Sequence, residues 1–210
     1  MKTLFIGDIV GRKARNFAIE KIKEFKEGKN FDLIIVNVEN SAGGFGVTPE
    51  ICDQFLLNGA DVLTSGNHIW DKKEIIAYIN ETNKLLRPMN MVEGTPGLGI
   101  TIIDTSFGKI GVANVMTNLF MPKSNPVFEL LNQIKLKFNS NENLCFSLVD
   151  VHGEATSEKL AIGHLLDGHV SAVVGTHTHI PTSDYRVLEN GTAYITAVSY
   201  THLRAHETLR

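Results

Sequence analysis

The stretch VVGTHTHIPT places His177 and His179 one residue apart, directly after an apolar run and a glycine. Other chemistry-bearing residues stand in the same kind of place. Asp8 ends TLFIGD, Glu39 ends FDLIIVNVE with Asn40 next, Asn67 ends DVLTSGN with His68 next, and His152 ends LCFSLVDVH. Imidazoles, carboxylates and carboxamides can hold transition-metal ions, and an imidazole also moves protons near neutral pH. Singly, each residue has an ordinary use: Asp8 as a helix cap, Asn67 in a turn, His152 as a hydrogen-bonded histidine. Five apolar runs that end in the same way point instead to one shared site, because the carboxyl ends of strands in open α/β sheets are where sites form.

The runs have the character of buried strands, about four to eight apolar-rich residues bounded by turn formers. Amphipathic segments lie between them. Helices are predicted from Arg12 to Glu27 with Phe17, Ile22 and Phe25 inward, from Pro49 behind a Thr48 cap, and from Asp71 to Asn80. Two more are predicted from Asn125-Pro126 to about Phe138 and from Ser157 to Leu166. Such alternation argues for α/β layers with right-handed crossovers. GITIIDTSFGKIGVANV reads differently, as two strands joined by a turn at Phe107 to Lys109, and RVLENGTAYITAV reads as a hairpin around Asn190-Gly191, so a mixed sheet is expected. No repeat or low-complexity linker divides the chain, which is read as one domain.

With 210 residues, 43% hydrophobic content and a formal net charge of −3, the chain can bury one sizeable core. Lysines and acids are mixed without a basic stripe, which argues against a duplex-DNA binder and leaves a nucleotide-sized substrate open. No apolar run approaches the ~18 residues of a membrane span, and Asp8 comes too early for a signal-peptide core, so a cytoplasmic protein is expected. Cys52 and Cys145 lack the spacing of a zinc site or a disulfide framework, and both are read as packing residues.

In order and strand placement, GDIVG, GNHIWD, VDVHGE and GTHTH resemble the successive blocks of the calcineurin-like metallophosphoesterases, over residues 4 to about 197. Val10 stands where the family's first block usually has a histidine, and Glu39-Asn40 in NVENSAGGFG where the second usually has an aspartate. These departures, with GNHIWDKKEI, resemble the YmdB-like bacterial phosphodiesterases. The resemblance implies a four-layer α/β/β/α sandwich with mixed sheets and a pair of transition-metal ions. Asp8, Glu39, Asn40 and His179 would hold one ion, and Glu39, Asn67, His152 and His177 the other, with Glu39 as the bridge. In extended chain His177 and His179 point to the same side, so the pair can reach neighbouring ions. A hydroxide between the ions would attack phosphorus, and His68, the remaining histidine of the set, would protonate the leaving oxygen as general acid. Nitrogen and oxygen ligation without thiolate suits iron, manganese or zinc, and the resemblance favours iron. The implied substrates are small nucleotide phosphodiesters, above all 2′,3′-cyclic nucleotides. A phosphomonoesterase or nuclease using the same metals stays open, as does a regulatory metal-binding protein acting on an RNA-processing partner. A homo-oligomer is compatible with each.

Other features are read as local structure. SAGGFGV, residues 41–47, lacks the Lys-Ser/Thr ending of a P-loop and reads as a flexible turn, although its place beside Glu39 could bring backbone N–H groups near a phosphate. Asp71 with Glu74 reads as a capping box for the next helix, in preference to a partner for His68. VSYTHLRAHETLR, residues 198–210, departs from the block expected after ITAV and is read as a non-native tail; His202 and His206 within it are not taken as ligands. A metallophosphoesterase domain over residues 1–197, incomplete at its C-terminus, is then expected.

Overall fold

The computed structural model describes residues 1–199. Strands and helices alternate as expected, and they build the two sheets that a four-layer sandwich requires. The first contains β1 (Thr3–Ile6), β2 (Leu33–Asn37) and β3 (Val62–Thr64), all parallel, each followed by a helix: α1 (Gly11–Glu27), α2 (Pro49–Leu57) and α3 (Ile75–Glu81). The second contains β4 (Ile100–Thr105), β5 (Gly108–Met116), β6 (Leu144–His152), β7 (Ala172–Thr176), β8 (Arg186–Val187) and β9 (Ala193–Ile195). Its order is β4-β5-β6-β7-β9-β8, with α4 (Val127–Asn139) after β5 and α5 (Thr156–Leu166) after β6. Strands β5, β6, β7 and β9 run parallel, while β4 and β8 pair antiparallel at the edges, the two places where the sequence carries hairpin turns.

Strand alternation decides what each layer touches. On β2, Ile34 and Val36 pack with Ala14, Ala18 and Ile22 of α1 and with Phe55 of α2. Leu33 and Ile35, which alternate with them in sequence, face Val112 and Leu148 of the other sheet. On β6, Val149 and Val151 pack beneath Leu131 of α4 and Ile162 of α5. The molecule is thus a four-layer α/β/β/α sandwich, with one apolar cluster under each helical layer and one between the sheets.

Toward the carboxyl ends of the strands the inter-sheet face turns polar. Asn37, Thr64, Asn114, Asp150, His152 and Thr176, all fully buried, continue the alternation begun by Ile35, Val62, Val112, Leu148 and Val174.

Several local expectations change. The buried stripe of α1 is Ala14, Ala18 and Ile22; Phe17 lies one position off it and is 53% exposed, and Phe25 is only partly buried. Helix α3 starts at Ile75, because residues 67–74 form turns, so Asp71 does not cap it. Cys52 is buried, but Cys145 lies in the less buried start of β6 and is exposed. Val198 joins the inter-sheet cluster and Ser199 is buried against Gly7, where any Cβ would come within 2.8 Å of the Ser199 hydroxyl oxygen. The rest of the segment read as a tail, including His202 and His206, lies outside the described residues. No helix among the described residues is long and apolar enough to cross a membrane.

Candidate metal centre

The strand-end residues converge, but not along one sheet edge. They meet at a seam, where the carboxyl ends of β1, β2 and β3 face those of β6 and β7. Asp8 is buried just past β1, and its Oδ2 accepts the backbone N–H of His177 at 2.7 Å. Glu39 is buried past β2, with Oε2 3.2 Å from His152 Nε2 and Oε1 accepting from Asn40 Nδ2 at 3.2 Å. Asn67 Oδ1 is 3.0 Å, and His177 Nδ1 3.1 Å, from that same His152 Nε2. His179 Nε2 is 3.2 Å from Asn40 Nδ2 and 3.8 Å from Asp8 Oδ2. One ligand atom each from Glu39, His152 and His177 falls within 4.8 Å of the others. Every residue expected as a ligand is therefore in one cluster, and His68 stands at its rim.

His177 and His179 arrive there by a turn and not by extended alternation. Strand β7 stops at Thr176, and the two histidines have φ of 92° and 54°. These are left-handed values that ordinary side chains adopt at a cost of roughly 1–3 kcal/mol, and such outliers concentrate at functional sites. The hydrogen bond from His177 N–H to Asp8 ties the turn to the other sheet.

The donor set fits a cation. Asp8 Oδ1 and Asn40 Oδ1 are buried and have no hydrogen-bond partner among the described residues. Native structures leave few such atoms orphaned, and here both are oxygens with lone pairs beside imidazole nitrogens. Gly66 permits the crowding, since a Cβ there would overlap Glu39 Oε2 and His152 Nε2.

The charges respond to the same crowding. Burial would raise the Glu39 carboxyl, but the charge and hydrogen bond of His152 outweigh it and hold the pKa down to about 2. Burial would lower His152, yet Glu39, Asp8 and Asp150 raise it to about 9. Burial raises Asp8. Burial and the His152 charge push His177 down to about 4. Without metal, a proton on His152 is the cation that this acidic cluster retains.

Behind His152 lies a buried network that motif reading did not find. Asp150 Oδ2 accepts from Asn37 Nδ2 at 2.9 Å and from the Thr64 hydroxyl at 2.6 Å, and Oδ1 accepts from the Thr176 hydroxyl at 2.7 Å. Burial raises Asp150 to about 6, so at neutral pH it is ionised and only accepts. The single Thr176 proton is thereby committed, and the Thr176 oxygen must accept the Nδ1–H of His152 at 2.9 Å. Nε2 is left as the nitrogen that can ligate, the usual work of residues behind a metal-binding histidine. A signal was available: Asp150 is a carboxylate inside the strand LVDVH, where a buried charge needs partners. Lys159 is buried alongside, donating to the Thr176 carbonyl at 2.7 Å, and burial lowers its pKa to about 8. Glu154, also unforeseen, places Oε2 3.4 Å from His177 Nε2.

At the rim, His68 Nδ1 lies 2.8 Å from Asp71 Oδ2. The carboxylate can only accept, so Nδ1 carries the proton and Asp71 is the partner of His68, contrary to the capping-box reading. The His68 backbone N–H donates to Glu39 Oε2 at 3.3 Å, and the Phe45 ring meets the imidazole edge-on at 4.9 Å between centroids. The glycine-rich turn thus carries an aromatic side chain onto His68.

The family model for YmdB-like proteins matches residues 4–204 of this chain. The chain is 43% identical over 201 residues to a Bacillus subtilis protein named 2′,3′-cyclic-nucleotide 2′-phosphodiesterase, a match covering 96% of this chain and 75% of that one. It is 33% identical over 204 residues to a putative phosphatase/phosphodiesterase of Mycoplasma pneumoniae, covering 94% and 71% respectively. Among solved structures, a hypothetical protein from Thermus thermophilus superposes with a TM-score of 0.86 at 37% identity, covering 95% of this chain and 76% of the other.

Proposed function

Because the chain belongs to the YmdB-like protein family, we propose that it is a metal-dependent phosphodiesterase acting on small nucleotides, with 2′,3′-cyclic nucleotides as substrates. The observation that carries this reading is the pair of buried, unpartnered oxygens, Asp8 Oδ1 and Asn40 Oδ1, beside the cluster of Glu39, His152 and His177. In this reading Asp8, Glu39, Asn40 and His179 hold one ion, Glu39, Asn67, His152 and His177 hold a second, and Glu39 is shared. Iron is the first candidate, manganese and zinc the others. When bound, the ions would supply positive charge for the phosphoryl oxygens and a water acidic enough to act as nucleophile.

The chain's own residues do the rest. The Asp150–Thr176 hydrogen bonds hold the His152 ring in one tautomer, and the turn anchored on Asp8 holds His177. Asp71 holds the proton of His68 on Nδ1, so the protonated ring can deliver its Nε2 proton to the departing ribose oxygen. Phe45 packs against the imidazole and restricts its motion.

A phosphomonoesterase is the second reading, favoured by the word phosphatase in the name of the Mycoplasma relative. A panel of 2′,3′-cyclic nucleotide, nucleoside monophosphate and short RNA decides between them, and faster turnover of the monoester or the RNA would displace the cyclic-nucleotide reading. His68→Ala is expected to keep its metal content, lose about 10²–10⁴ in rate on the cyclic nucleotide, and lose much less on bis-p-nitrophenyl phosphate, whose leaving group departs without a proton. Metal loss in that variant would make His68 a ligand instead.

A further inference from the structure

Beside the metal centre is a cleft of about 210 Å³, and of its walls the chemistry above uses only Asn67. Asn67 lines it, and Asn67 Oδ1 is 3.0 Å from His152 Nε2, so the cleft adjoins the cluster. A second link is Met116, which also lines the cleft and is the register partner of His152 across β5 and β6. Trp70, Met91, Val92 and Pro122 make the walls apolar. The Trp70 indole N–H donates to Met91 Sδ at 3.3 Å, which fixes the ring and leaves its surface, not its one donor, for a ligand. The Thr95 hydroxyl proton is likewise committed, to the Val92 carbonyl. Lys123 adds a cation among these apolar groups.

Pockets that enclose a whole drug-sized ligand run to roughly 300–1,000 Å³. This one is smaller, so it would take one part of a substrate whose phosphate lies on the metal cluster. That part must have apolar faces and some polar edge for Lys123, and must be joined to phosphate by a short linker. Ribose and phosphate carry too much polar surface for these walls. We propose that the Trp70–Met91–Val92 cleft is the subsite for the substrate's nucleobase, an assignment that rests on the nucleotide reading above. With the Trp70 and Thr95 donors already committed, the base is gripped by its faces more than read by its edges. Stacking on aromatic and apolar surface tolerates any base, because each has a π face.

The test uses manganese-loaded protein and compares 2′,3′-cyclic AMP with 1-O-methylribose 2′,3′-cyclic phosphate, the same cyclic diester without a base. Wild type is expected to show a KM lower for the nucleotide by roughly 5- to 150-fold, the range that stacking one base on an aromatic side chain gives. Val92, 62% exposed, tolerates enlargement without disturbing the core. Val92→Trp, which fills the cleft, is expected to erase most of that KM difference. Trp70→Ala should do the same and Trp70→Phe should restore it, with thermal melts showing that each variant is folded. Equal KM values for the two substrates in wild type, or a folded Val92→Trp variant that keeps the full difference, would overturn the subsite and leave the phosphodiesterase reading standing. Turnover of neither substrate by metal-loaded wild type would overturn that reading and the subsite with it.

Discussion

Between the two sheets, the same strands build two environments. At one end Leu33, Ile35, Val62, Val112 and Leu148 pack without a polar atom among their side chains. At the other, Asn37, Thr64 and Thr176 hydrogen-bond to Asp150, and His152 hydrogen-bonds to Thr176. Side chains keep their two-residue alternation through the change, so the boundary is chemical and the backbone does not mark it. The apolar end stabilises the fold, at about 1.5–3 kcal/mol for each large aliphatic side chain buried. The polar end has to overcome desolvation, which shows in the raised Asp150 and the lowered Lys159, and only its hydrogen bonds offset the cost. The lesson is a division of labour along each strand: one half holds the sandwich shut so that the other half can keep charged groups dry.

That division can be attacked from both ends. The largest effect is expected from Glu39→Gln, which removes the carboxylate proposed to be shared by both ions. Metal analysis should find both ions weakened and turnover at background, with the metal-free fold intact. Retention of a full complement of metal would break the binuclear assignment. Next is Leu33→Ala at the apolar end, expected to cost about 2–5 kcal/mol in denaturant unfolding while the folded protein binds metal as wild type does. A specific loss of metal affinity would mean that the two ends are not separable.

Thr176→Val keeps the shape at the polar end but deletes the hydroxyl between Asp150 and His152. Metal affinity is expected to fall about 10- to 100-fold, as for other partners of ligating histidines, and Thr176→Ser should restore it. A Val variant with wild-type affinity, measured by competition with a chelator, would show that the His152 tautomer needs no such support.

The effect of pH is the smallest per step, one pH unit at a time. Metal requires neutral imidazole, and in the metal-free protein burial lowers His152 but Glu39, Asp8 and Asp150 outweigh it and hold the pKa near 9. His177, at about 4, is already neutral throughout the range. Apparent affinity should therefore rise about tenfold per pH unit from 7 toward 9 and then level, because below pH 9 each binding event displaces the His152 proton. A flat profile between pH 7 and 9 would show that His152 is neutral before metal arrives.

Much of this was legible in the chain. Apolar runs such as FDLIIVNVE and LCFSLVDVH carry their strand signal locally, and the polar residue closing each run marks the functional end whatever the strand pairs with. Helix α1 was legible in extent but not in orientation. Its buried stripe is Ala14, Ala18 and Ile22, and Phe17, one position off that stripe, is left outside. Asp71 was misread because a capping box and a histidine partner have the same local spelling, and only the delay of α3 to Ile75 frees Asp71 for His68.

The sequence by itself determined the residue types of the site, their placement at strand ends and the α/β class, because these rest on short-range periodicity and on the chemistry of side chains. Only the tertiary structure decided that the proposed ligands straddle two sheets, that His177 and His179 turn in with positive φ, and that Asp150 and Thr176 stand behind His152. Those arrangements depend on contacts such as Asn37 with Asp150 and Asp8 with His177, between residues more than a hundred positions apart. No local pattern encodes such pairs; they exist once two buried faces have been pressed together and every polar group between them has had to find a partner.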